Sequence, residues 1–193
     1  MIDANLFAGV KDARTSSYPD DPAAGRYIVR VDEVLMKETS GAGGRSKKRF
    51  LTINYTVLSV VATEDGHPAH RVGDVCNHRI FRDGNDWSEK YFQRDLKAFI
   101  VAMNPELNLD AMSEEEFVSG CVEMVGEAQP LKGYVAELVN GVSYAKSAID
   151  EDGNPLPGAR AFVTPMWKSP LNAAAIQQEL GEDVVARFGL LAD

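Results

Sequence analysis

A mainly β fold with helices is what the sequence predicts, and three observations carry that prediction. Two stretches, 25–38 and 49–62, are rich in β-branched residues and alternate along their length. A third stretch, 86–104, changes period: Phe92, Leu96, Phe99, Ile100 and Met103 recur at helical spacing. The chain of 193 residues is 45% hydrophobic and 25% charged, which suits a single core of ordinary size.

The elements follow in order. Residues 1–24 read as an N-terminal arm, because Thr15 to Ala24 is rich in Ser, Pro and Asp and has no periodicity. In the first strand, GRYIVRVDEVLMKE, Tyr27, Val29 and Val31 share a face. The phase slips near Asp32-Glu33, which predicts a bulge that bends a long strand. Thr39–Lys48 is a basic, Gly-rich loop. In the second strand Leu51, Ile53, Tyr55 and Val57 form an apolar row opposite Phe50, Thr52, Asn54 and Thr56. A turn at Glu64–Pro68 leads to a third strand over 72–82, with Val75, Asn77, Arg79 and Phe81 on one face and Cys76, His78 and Ile80 on the other.

After the helix, Asn104-Pro105 is a stop, and Ser113 followed by Glu116 is a capping box that starts a second helix near Glu114. Strands are expected again over 131–140 and 160–167, joined by a long loop, Gly141–Gly158. The segment 171–188 is weakly helical and interrupted at Gly181. The domain proper is therefore 25–168, with a helical C-terminal tail over 169–193. The order β-β-β-α-β-β is that of an OB-like five-stranded antiparallel barrel, whose ligand face is the surface of strands two and three, flanked by the loops joining strands one to two and four to five.

At pattern level the chain resembles the phage-type single-stranded DNA-binding proteins built on that fold. The resemblance covers about residues 25–167 and rests on GRYIVRVDEV, GAGGRSKKRFLTINYTVL and WSEKYFQRDLKAFIVAMN. It implies the fold, the ligand class and the ligand face: sequence-independent binding of single-stranded DNA, with RNA as the neighbouring option, alongside replication or recombination proteins. A C-terminus reading ARFGLLAD departs from the acidic, aromatic-tipped tail of many such proteins.

The residues make a case of their own. The net charge is −9, yet residues 1–100 hold 15 Lys and Arg against 14 Asp and Glu, and 101–193 hold 5 against 15. A single strand of nucleic acid needs cations along its backbone and flat rings under its bases. Arg45, Lys47, Lys48 and Arg49 supply four charges at the mouth of the expected groove. Arg26, Arg30, Arg71, Arg79 and Arg82 lie on neighbouring strands, and Tyr55, Phe81, Trp87, Tyr91, Tyr144 and Trp167 are candidate stacking rings. Phe81 shares its face with Asn77 and Arg79 and is preferred over Tyr55, whose companions are all apolar. The competing reading is a protein-interaction or structural module with no nucleic-acid ligand.

Other chemistries find little support. His67, His70, Cys76 and His78 have no known zinc spacing, and Gly41 to Lys47 does not satisfy the phosphate-loop pattern. There is no G-x-S-x-G and no other nucleophile–base signature, so neither catalysis nor a cofactor is expected. Cys76 and Cys121 read as free thiols of a reducing compartment, and no secretory leader or membrane span is expected. The anticipated location is the cytoplasm, that of a host cell if the chain is viral.

Overall fold

The computed structural model describes residues 23–39, 48–64, 67, 69–82 and 86–190, without the side chains of 86–89. Five strands, β1 (Gly25–Glu38), β2 (Arg49–Thr63), β3 (Val75–Arg82), β4 (Val135–Tyr144) and β5 (Ala161–Pro170), form one antiparallel sheet in the order β3-β2-β1-β4-β5. Helix α1 (Asp86–Met103) and helix α2 (Glu114–Val125) lie between β3 and β4, and α3 (Ala173–Phe188) follows β5.

The sheet is covered on both faces. Its inner rows, Tyr27, Val29, Val31 and Val34 on β1 and Leu51, Ile53, Tyr55 and Val57 on β2, pack with Phe92, Phe99 and Met103 of α1 and Met124 of α2 in the main core. On the other face Ile28, Leu58 and Val135 meet Ile176 and Leu180 of α3 in a second, smaller core. Residues on both sides of the alternation are therefore buried in the middle of β1 and β2, as a sheet packed on two faces requires. The tail expected over 169–193 is thus, through α3, a packed layer of the fold.

The bulge expected near Asp32-Glu33 is present: the register of β1 against β2 shifts between Val31 and Glu33. One extra residue lets Val31 and Val34 both face inward. Asp32, left out of the ladder, accepts a hydrogen bond from the Thr56 hydroxyl at 2.6 Å and pairs with Arg30 at 2.8 Å. The capping box of α2 is complete, since Ser113 accepts from Glu116 N and the Glu116 carboxylate accepts from Ser113 N. Those bonds from Ser113 hold the Glu116 carboxyl below its ordinary value.

Several expectations need correction. The anticipated closed barrel is an open sheet: among the described residues no ladder joins β3 to β5. The strand expected over 131–140 lies at Val135–Tyr144. Residues 131–133 instead form a turn that docks on β1, with Gly133 N donating to Val31 O and Val31 N to Tyr134 O, both at 2.8 Å. Leu131 is half-buried against the core from that turn, which is why its apolar character mimicked a strand position. Gly141–Tyr144 consequently belongs to β4 and not to the following loop. The third strand begins at Val75, because Gly73 and Asp74 make a turn in which Asp74 accepts from Arg71 N at 2.8 Å. Leu96, expected in the core, is half-buried at its margin.

The arm expected over 1–24 lies outside the described residues up to 22. Its last two residues are core: Ala23 N donates to His70 Nε2 at 2.9 Å, Ala23 O accepts from Asn140 Nδ2 at 2.7 Å, and Ala24 O accepts from the Tyr27 hydroxyl at 2.7 Å. Gly25 enters the sheet at φ 137°, and a Cβ there would stand 2.5 Å from Ala62 O and 2.8 Å from the Tyr27 hydroxyl. Replacing Gly25 by Ala should therefore destabilise the protein by more than the roughly 1–3 kcal/mol of a strained backbone conformation alone. Urea denaturation checks this.

Tyr55 is fully buried, and burial raises its phenol far above the ordinary value. Its hydroxyl and Asn140 Oδ1 are both enclosed without a hydrogen bond. Asn140 is close enough to ease ionisation of the phenol but not in bonding geometry. Tyr55→Phe should then change stability by less than about 1 kcal/mol, whereas Tyr55→Ala should cost about 3–5 kcal/mol. Thermal melts of the pair separate the ring from its oxygen.

Candidate nucleic-acid interface

The outer face of β2 and β3 has two ends of different character. At one end, Phe50 pairs with Phe81 and Thr52 with Arg79 on this face, while Arg49 pairs with Arg82 on the inner one. The Phe50 and Phe81 rings lie 5.3 Å apart, and Phe81 is 45% exposed. The Arg82 guanidinium stands 5.7 Å over the Phe92 ring, and Arg49 approaches Glu38 at 3.5 Å. This end adjoins the basic loop, whose stem is closed by Thr39 N donating to Lys48 O and by Lys48 N donating to the Thr39 hydroxyl, both at 2.9 Å.

The other end is polar and acidic. Asn54 Nδ2 donates to Glu33 Oε2 at 3.1 Å, and Thr56 is committed to Asp32. Carboxylates there would repel a phosphate backbone. The candidate surface is thereby confined to the Phe50–Phe81 end.

The expected site residues divide accordingly. Arg79 and Phe81 share the outer face, whereas Arg49 and Arg82 pair with each other on the inner one at the same strand ends, with Lys48 preceding Arg49. Arg26 and Arg30 join neither group: Arg26 pairs with Glu137 at 2.6 Å, and Arg30 is held by Asp32 and donates to Phe188 O at 3.4 Å. Arg30 pairs with Thr56, seven residues along β2 from Arg49, or roughly 20 Å at the usual strand rise. Tyr144 ends β4 opposite Ala161 and is half-buried. Arg45 and Lys47 lie outside the described residues. Trp87 sits in the first turn of α1, with its side chain outside them. Of the other rings, Tyr55 and Trp167 are core, in edge-to-face contact at 5.6 Å.

Beside this surface runs a cleft of about 560 Å³ between the open edges of β3 and β5, bordered by α1. β3 contributes Asn77, His78, Arg79 and Phe81; α1 contributes Arg94, Asp95, Ala98 and Phe99; β5 contributes Val163 to Trp167. A side-chain hydrogen bond spans the gap, from Trp167 Nε1–H to His78 Nδ1 at 3.1 Å. The sequence gives one clue to His78: alternation sets it between Cys76 and Ile80 on the inner row, an imidazole among apolar neighbours. Nothing in the sequence brings Arg94, Asp95 and Trp167 to the same place, because the topology does that.

Among the described residues no group of three His, Cys, Asp or Glu side chains gathers to hold a metal. His70 Nδ1 lies 3.4 Å from Cys76 Sγ inside the core, while His78 turns to Trp167. No described helix is long and apolar enough to cross a membrane. Compared with known proteins, the chain matches no family model, and no curated protein matches it.

Burial pushes the His78 imidazole down to about 4, with Asp95 opposing the shift. The unfolded chain, with an ordinary imidazole, then binds more protons than the folded one between pH 6.5 and about 4. Stability contributed by His78 is present above pH 6.5 and is lost as pH falls through that window. His78 keeps part of its surface toward the cleft, so the slope stays below the limit of about 1.4 kcal/mol per pH unit for one proton. Denaturation of wild type and His78→Gln across this range should show a flatter dependence in the variant.

Proposed function

We propose that the chain binds single-stranded DNA without sequence preference, on an OB-like fold, and serves to protect or organise it during replication or recombination. The observation that carries the reading is the juxtaposition of Phe50 and Phe81 with Arg79 on the outer face of β2 and β3, at the strand ends where Arg49 and Arg82 pair on the opposite face and the basic loop begins. Rings beside a guanidinium match the alternation of base and phosphate in a single strand. The strand order supports it too, since β1 is shared between β2 and β4 and helices intervene between β3 and β4, as in an OB barrel opened at one seam.

A second reading, a module that docks a partner chain, draws on Val118 and Val122, which are one turn apart on α2 and 52% and 63% exposed. Fluorescence anisotropy with labelled oligo-dT at low and moderate salt distinguishes the two. Binding that weakens steeply with salt is expected, and no binding at low salt overturns the reading.

Phe81→Ala should cost about 1–3 kcal/mol of oligo-dT affinity and leave the thermal midpoint nearly unchanged, because the ring is half exposed. Arg79→Ala should reduce the salt slope by about 1. A fall in midpoint for Phe81→Ala without loss of affinity per folded molecule would assign the ring to packing against Phe50.

A further inference from the structure

We infer that the cleft between β3 and β5 captures one unstacked base of single-stranded DNA, with the His78 Nε2–H as a hydrogen-bond donor to it and Asp95 as an acceptor. The inference rests on the DNA-binding reading above and adds a second subsite to the exposed Phe81 surface.

The chemistry of the lining carries it. His78 Nδ1 accepts from the Trp167 indole, so the ring's proton is on Nε2. The imidazole is neutral near pH 7, since burial holds it at about 4, and offers a donor without a charge. Asp95, paired with Arg94 at 2.7 Å, keeps a carboxylate at the rim. A donor and an acceptor bordering one cleft of mixed polar and apolar lining suit the edge of a nucleobase, which carries both. Arg79 lines the same cleft, and Phe81 borders it from the proposed stacking surface, so a strand lying on Phe81 need turn only one base inward.

The same geometry disfavours a peptide strand in the seam. Open edges ordinarily invite an added strand. Here the Trp167–His78 bond crosses the gap, and α1 packs against both β3 and β5. A strand running the length of the seam would have to break that bond. A base entering from the rim would not.

Ala98 provides the test. It is exposed on α1 and lines the cleft, so Ala98→Phe fills the space without removing any proposed contact. Wild type and Ala98→Phe are titrated with labelled oligo-dT, and thermal midpoints are recorded for both. The indole N–H resonance of Trp167, assigned with Trp167→Phe, is followed in wild type during the same titration. The expected result is at least ten-fold weaker binding by Ala98→Phe at an unchanged midpoint, and movement of the Trp167 resonance on binding. Unaltered affinity in Ala98→Phe, or a Trp167 resonance that stays still while wild type binds, overturns the pocket and leaves the DNA-binding reading intact. Failure of wild type to bind oligo-dT at low salt overturns that reading, and the pocket with it. In a parallel arm with oligo-U, tighter binding than oligo-dT would reassign the base to RNA and overturn the DNA assignment.

Discussion

β1 pairs with two neighbours, and the bend at Asp32 stands where the pairing with β4 ends while that with β2 continues. From Gly25 to Arg30 it lies between β2 and β4; beyond the bulge, from Glu33 to Glu38, it pairs with β2 alone. The turn before β4 docks at this point, through the paired backbone bonds of Val31 with Gly133 and Tyr134. Gln129 closes the junction, accepting from Val34 N at 2.8 Å and donating to Val34 O at 2.9 Å. An ordinary strand would have turned Val34 outward and left these backbone groups without partners. The bulge keeps the hydrophobic row continuous while freeing one edge of β1, and helix α2 contacts β1.

That constraint explains which features could be read in the sequence. Alternation in β1 and β2 is unambiguous because one face of each is a continuous apolar row, and the slip at Asp32-Glu33 shows in the pattern itself. The α1 helix is legible from Phe92, Phe99 and Met103, and α2 from Ser113 and Glu116. The misplacement of β4 has a physical origin: Leu131 is apolar for a tertiary reason, its turn packing on β1, and local pattern cannot distinguish that from strand alternation. Openness of the seam was also illegible. Whether β3 and β5 pair depends on how far the sheet curls, and no local residue choice in either strand encodes it.

The candidate site was legible in part for a related reason. Phe81 and Arg79 follow from alternation on a short strand, and the basic loop follows from composition. Arg26 and Arg30 show the limit of reading charge as a footprint. Both lie on the strand nominated by the pattern, but Glu137 and Asp32 engage them, and Phe188 O receives a further bond from Arg30. Partly exposed pairs of this kind contribute modestly to stability, but they occupy the guanidinium. Charge balance by half of the chain therefore overstates the cations available to a ligand.

An unclosed seam has consequences in both directions. The facing edges of β3 and β5 forgo a ladder, and exposed apolar side chains remain along β5, with Phe162 and Met166 47% and 51% exposed. Such an edge is a liability unless something blunts it. Here Pro165 and Pro170 remove donors from β5, Lys168 adds a charge, and Trp167 turns inward to His78 and Phe99. These devices discourage pairing with another strand while leaving the cleft accessible from its rim. A closed barrel would have satisfied the backbone and removed the cleft. The open one keeps a recess of mixed lining beside the exposed Phe81, so the single-strand binding proposed above would have both a pocket for a flat polar edge and a surface beside it.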